Sequence, residues 1–212
     1  MKLSEVYSTY RKAQNQETIK MEIYSTDLVK IENICNHEAG HYIIARELGF
    51  STNGMSIEMR TNGHSGESVI EPWTSGINNF TELENYLKRR IKVLYAGVIS
   101  ESFEMENCSD YALNEWKSGG GKDDHSKIRE LTQVLRNIIY PNTKNEPEAQ
   151  KELTNLDSEL FAQTVEIVKN RLNLIHGISS MLSEKVKEYN IKYSLTESEI
   201  NDVANIKELY IK

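Results

Sequence analysis

His37-Glu38-Ala39-Gly40-His41, bracketed by Ile34, Ile43, Ile44 and Leu48, is the stretch on which the reading of this chain turns. The flanking apolar residues predict a buried helix, with Asp27 as its cap and Gly49 ending it after about Leu48. Residues four apart on a helix sit about one turn apart on the same face, so His37 and His41 can reach one ion. Glu38 lies about 100° round the helix from His37, poorly placed to share the ion but able to reach a water bound to it. Ala39 and Gly40 are small enough for another element to approach closely. Chance would produce this pattern about 0.02 times in a chain of this composition, so the spacing predicts a metal site, with zinc as the cofactor expected of a His-Glu-x-x-His helix. Zinc lowers the pKa of its bound water to about 7, and a carboxylate in the place of Glu38 takes the proton during attack on a carbonyl.

A third ligand has to come from elsewhere in the chain. A His six residues beyond the second one, after a Gly three residues beyond it, would mark one large class of zinc peptidases. Those positions hold Glu47 and Ile44, which excludes that class. Glu101 and Glu104, on a second long helix, remain candidates. So does an Asp from Gly119-Gly120-Gly121-Lys122-Asp123-Asp124, where a glycine run can bend tightly into a helix start. Within that loop periodicity separates the two aspartates. Asp124 lies four residues before Ile128 and shares the inward stripe of Ile128, Leu131, Leu135 and Ile138, whereas Asp123 falls with Ser126, Lys127 and Glu130 and reads as the helix cap.

Outward from the motif, three prolines in 212 residues leave helix rarely interrupted. Residues 54–71 alternate Met55, Ile57 and Met59, turn at Asn62-Gly63 and continue through Ser68, Val69 and Ile70, which predicts a β-hairpin as the only convincing sheet. Leu83, Leu87, Ile91, Leu94, Tyr95 and Val98 predict a helix over about 81–107. A third helix runs from Asp123 or Asp124 to about Tyr140, and residues 148–189 form one long or two stacked helices. Thr196-Glu197-Ser198-Glu199 is a capping box for a last helix. The expected fold is mainly α with a small β-sheet: a zincin-type active-site helix plus a C-terminal helical bundle. Residues 1–26 read as a helical arm or extension. Residues 27–212 read as one metallopeptidase-like domain, with 27–140 as its catalytic core and 148–212 as its helical C-terminal part.

Composition narrows the class of partner. Apolar residues are 38% and charged residues 27%, with a net charge of −7, ordinary for a globular protein and wrong for one that grips phosphates. Nucleic acid is therefore not expected as a partner. No run approaches the 18 or more apolar residues of a membrane span, and the first residues lack the apolar core of a secretory signal. Two cysteines, Cys35 and Cys108, are too few for a disulfide framework and suit a reducing compartment, so a cytoplasmic location is expected.

Taken together, these motifs resemble the zinc peptidase domain of the FtsH-type ATP-dependent proteases over roughly residues 31–208. The likeness rests on the His-Glu-Ala-Gly-His helix, the short strands around Ile57 and Gly66-Glu67, and Leu94-Tyr95-Ala96-Gly97-Val98-Ile99-Ser100-Glu101. It continues in Gly120-Gly121-Lys122-Asp123-Asp124, in Asn170-Arg171-Leu172 and in Leu195-Thr196-Glu197-Ser198-Glu199-Ile200. The resemblance implies His37, His41 and Asp124 as zinc ligands, Glu38 as general base, and Glu101 as a supporting residue instead of a ligand. It also implies a sheet edge that receives an extended peptide, which suits a sequence-tolerant enzyme because main-chain bonding carries the affinity. The chain departs from the family at Ala96 and Asp123, where the family has Gly and Asn. No Gly-x-x-x-x-Gly-Lys-Ser/Thr phosphate loop occurs in the 212 residues, so the expectation is a stand-alone peptidase acting on peptides or unfolded protein without ATP. A homo-oligomer or a separate partner protein stays open. The rival expectation is a zinc-containing peptide- or protein-binding regulatory module with little or no catalysis.

Weaker signals have plainer readings. Cys35 points about 160° from His37 and reads as core packing. His64 reads as a solvated turn residue, with contact to a reacting oxyanion as its functional alternative. His125 reads as a surface residue beside Asp124, Trp73 and Trp116 as core or rim packing, and Lys88-Arg89-Arg90 as the solvated face of a helix.

Overall fold

In the computed structural model, residues 21–72, 76–103 and 121–202 are described. Of the arm expected over residues 1–26, residues 1–20 lie outside them, as do Trp73, Glu104, Cys108, Trp116 and the glycines at 119 and 120, while residues 21–24 are not helical and Glu22 bridges to Glu188. The fold is mainly α with a small antiparallel sheet, as expected. A 3₁₀ turn, Ser25–Asp27, leads into α1, Leu28–Glu47. The strands β1, Ser51–Arg60, and β2, Gly63–Glu71, follow. Then come α2, Phe80–Ser102, α3, Lys122–Ile139, and α4, Glu146–Ser183. The strand β3, Lys192–Leu195, and the short helix α5, Glu197–Asn201, complete the described chain.

Helix α1 is the hub. Every residue from His37 to Ala45 is buried, because α2 and α4 pack on it from one side and the sheet from the other. A helix enclosed all round shows no amphipathic stripe, so the polar residues of its middle are forced into the interior with their partners. Its C-terminus is a Schellman turn: Gly49 adopts φ 80°, Gly49 N donates to Arg46 O at 3.0 Å and Phe50 N donates to Ala45 O at 2.9 Å. At the other end Asp27 occupies the cap position but makes no side-chain cap hydrogen bond. Its carboxylate accepts instead from the Tyr189 hydroxyl, so it ties the helix start to the segment after α4.

The hairpin forms as predicted, with Met55 opposite Ser68, Ile57 opposite Gly66 and Met59 opposite His64. Met55, Ile57 and Met59 face the core at period two. The sheet has a third strand that the sequence reading did not contain: β3 pairs antiparallel with β1, giving the order β2-β1-β3. Four residues, Lys192 to Leu195, are too short to announce themselves by alternation. Helix α2 is capped by Asn79, which accepts from Glu82 N at 3.0 Å. The segment over 148–189 is one continuous helix ending at Ser183, about 57 Å long, with Leu156, Leu160, Val168, Ile175 and Leu182 buried against α1 and α2. The predicted capping box is present at Thr196 and Glu199.

Candidate metal centre

Helices α1 and α2 cross where their residues are smallest. A β-carbon added to Gly40 would stand 2.3 Å from Ser100 Oγ and 2.6 Å from Ala96 O, so Gly40 lets the two backbones touch. One at Gly97 would stand 2.4 Å from His41 Nε2 and 2.7 Å from His37 Nε2. The space that a side chain would fill at Gly97 is occupied by the two imidazoles. Asp124, in the first turn of α3, enters from a third direction, where the positive end of a helix favours a carboxylate.

Three atoms converge. His41 Nε2 lies 2.9 Å from Asp124 Oδ2 and 3.0 Å from His37 Nε2, and His37 Nε2 lies 3.3 Å from Asp124 Oδ2. His41 and His37 are buried, and Asp124 nearly so. Ligands at the usual 2.0–2.1 Å from a tetrahedral zinc are about 3.3 Å from one another, so the cluster has about the right dimensions for a small divalent cation. The hydrogen-bond inventory points the same way. Val93 O can only accept, so the 2.7 Å contact with His41 Nδ1 must be donated by that nitrogen. A neutral His41 then presents a bare lone pair at Nε2, aimed at an anionic oxygen. His37 repeats this arrangement, its Nδ1 lying 3.2 Å from Glu101 Oε2. Two imidazole lone pairs and a carboxylate held this close need a cation between them, whether a proton or a metal.

Electrostatics express that need. Burial by itself would lower the pKa of His37, but hydrogen bonds to Asp124 and Glu101 outweigh it and drive the value well up. Burial would raise Asp124, yet the facing imidazoles, His41 first, hold its carboxyl well below the usual range. His37, His41 and Asp124 form the one group of His, Cys, Asp and Glu side chains among the described residues that could hold a metal ion. The ordered contacts behind the two imidazoles, Val93 O and Glu101, are of the kind that fix ligand orientation.

Glu38 is buried beside this cluster without touching it. Ser68, on β2, reaches across to it, its hydroxyl 2.6 Å from Glu38 O and 2.9 Å from Glu38 Oε2. Gly66 brings the strand itself against the carboxylate: a β-carbon there would be 2.4 Å from Glu38 Oε1. Helix α1, the Glu38 carboxylate and strand β2 thus line one cleft of about 290 Å³, with Ile70 and Leu94 on its walls.

The sequence-derived residues His37, Glu38, His41 and Asp124 therefore meet in one place, across gaps of up to 87 residues. Glu101 supports His37 and is not among the clustered ligands. Asp123 lines the cleft but does not cap α3, whose cap position is Gly121; the helix begins two residues earlier than a cap at Asp123 would place it. His64 lies at the exposed end of the hairpin, and the partial desolvation of its ring, followed by the Lys30 charge, lowers its pKa. His125 is half-buried and outside the cluster. Cys35 is fully buried, with its thiol pushed up to about 12 by burial. The Lys88-Arg89-Arg90 run is not a solvated face. Lys88 pairs with Glu84 at 2.7 Å, Arg89 donates to Leu48 O at 2.9 Å and lies over the Phe50 ring, and Arg90 lines the cleft. Sequence reasoning gave no site role to Gly66 or Ser68, although a glycine inside a strand commonly marks a close backbone approach. Among the described residues no helix is long and apolar enough to cross a membrane. No known family model matches the chain, and no curated protein matches it.

Proposed function

We propose that this chain is a zinc metallopeptidase that hydrolyses peptide bonds in peptides or unfolded segments without ATP, as its resemblance to the FtsH-type peptidase domain implies. The observation that carries the reading is the convergence of His37, His41 and Asp124 beside a buried Glu38 in a cleft walled by a strand. His37, His41 and Asp124 would hold the zinc, which when bound supplies Lewis acidity, polarising a carbonyl and making water acidic near neutral pH. Glu38 takes the proton of the attacking water and returns it to the departing amine. The Ser68 hydroxyl, within hydrogen-bond distance of Glu38 Oε2, holds the carboxylate turned to the cleft. Among the described residues β2 pairs on one side only, with β1. Its other edge offers main-chain donors and acceptors to an extended substrate without regard to side chains. The acidic net charge and the buried Cys35, free of any disulfide among the described residues, support a cytoplasmic protein that does not bind nucleic acid.

The test is metal content and cleavage of casein or a quenched peptide, on the wild type and Glu38→Gln in parallel. One zinc per chain in both, with cleavage lost in the variant alone, is the expected result. Equal cleavage by both would falsify the role of Glu38. Zinc in both with cleavage by neither would favour the rival, a zinc-containing module that binds peptides or a partner protein.

A further inference from the structure

Arg90 stands apart from its neighbours. Of three consecutive cations on α2, Lys88 and Arg89 have partners, described above. Arg90 has a buried Nη1 with no hydrogen-bond partner among the described residues. A buried donor on a charged group that lacks a partner is costly, and such groups in native folds usually have a reason. Arg90 lies four residues before Leu94 and seven before Gly97, so all three share one face of α2. Gly97 abuts the metal ligands, and Leu94 and Arg90 carry the same face outward along the cleft wall. Seven residues of helix set the Arg90 backbone roughly 10 Å along α2 from Gly97. The other cation on this rim, Lys127, already lies 3.6 Å from Asp124 Oδ1.

We infer that Arg90 is a specificity-determining residue, whose guanidinium binds a carboxylate of the substrate two to three residues from the bond that is cut. The separation follows from the spacing of an extended chain, about 3.3 Å per residue, laid along the roughly 10 Å of α2 between Gly97 and Arg90. A guanidinium stays charged at every working pH and presents a fork that matches a carboxylate. The carboxylate has two sources, the C-terminus of a short peptide or an acidic side chain within a longer one. The inference rests on the peptidase reading for where the peptide lies.

The experiment uses the zinc-loaded full chain carrying Glu38→Gln, so that bound peptides survive, and reads fluorescence anisotropy with three labelled peptides. One has a free C-terminal carboxylate and no acidic residue. The second is the same peptide amidated. The third is amidated and carries one Glu three residues from its centre. At least one of the two carboxylate peptides should bind about 10-fold more tightly than the neutral amide, and adding Arg90→Gln should erase that difference. Preference for the free acid identifies a terminal carboxylate, and preference for the Glu peptide an internal one. Equal binding of all three peptides, or a preference that survives Arg90→Gln in full, would overturn the inference. If the Gln variant does not fold or take up zinc, Arg90→Lys carries the test, since it keeps the charge and should retain part of the preference. Cleavage by the wild type is scored separately. Cleavage without carboxylate preference removes Arg90's role alone. Carboxylate preference without cleavage removes the peptidase reading and keeps the binding role.

Discussion

The two walls of the cleft are built on opposite plans. On the α1–α2 side the backbones touch at Gly40 and Gly97, the imidazoles fill the space that a side chain would take, and each is fixed from behind by Val93 O or Glu101. On the β2 side the strand is half-exposed and is linked to the machinery by one hydroxyl and one missing side chain, Ser68 and Gly66. The first wall has no slack, because its neighbours are main chain and buried rings. The second can give, because its neighbour is the end of a glutamate. Damage to the helix wall should therefore abolish the metal site, and damage to the strand wall should slow turnover while leaving metal and fold in place.

Gly97→Ala should break the helix wall most completely. Its β-carbon cannot fit beside His37 and His41, so zinc per chain should fall towards zero and stability should drop by about 1–3 kcal/mol, read by metal analysis and thermal unfolding. A variant that still binds one zinc would show that the crossing can relax. Gly66→Ala probes the other wall. It should displace the Glu38 carboxylate and cost about 100-fold in peptide turnover, with zinc content and melting temperature near those of the wild type. Loss of zinc in this variant would erase the distinction between the walls.

Glu101→Gln removes the support behind His37 and should weaken zinc binding by about 10- to 100-fold, measured by competition with a chelator. The same contacts set a pH signature. Without metal, the bonds to Asp124 and Glu101 overcome burial and raise His37 from 6.5 to about 10. A raised folded-state pKa contributes stability that is full below 6.5 and is lost as pH climbs through about 10. Metal-free protein should thus melt at falling temperatures across that window. Zinc affinity should climb over the same range because the ligand must shed its proton. A metal-free melting temperature that rises from pH 6.5 to 9 would contradict the pairing. Ser68→Ala should have the smallest effect, less than about 10-fold in turnover, since Glu38 keeps its place in the cleft; a larger loss would mean that the strand positions Glu38 more tightly than the helix does.

The amino-acid sequence by itself determined what is local. The i, i+4 spacing of His37 and His41, the stop at Gly49, the alternation of Met55, Ile57 and Met59 and the capping box at Thr196 each depend on a few neighbouring residues. Each recurs in the structure. Even the choice of Asp124 over Asp123 followed from one helix's periodicity, and Asp124 is the aspartate beside the imidazoles. Other features depended on elements far apart in the chain. Asp27 and Asp123 have the composition of caps, but Asp27 bonds Tyr189 and Gly121 holds the cap of α3, because a side chain's partner is chosen by whatever packs nearby. The third strand, the Val93 carbonyl behind His41, the Gly66 clearance for Glu38 and the half-buried Arg90 left little or no periodic trace. They exist only where α2 and the sheet close around α1. Sequence patterns report the geometry of one element at a time, whereas a site held at contact distances is fixed by how several elements pack.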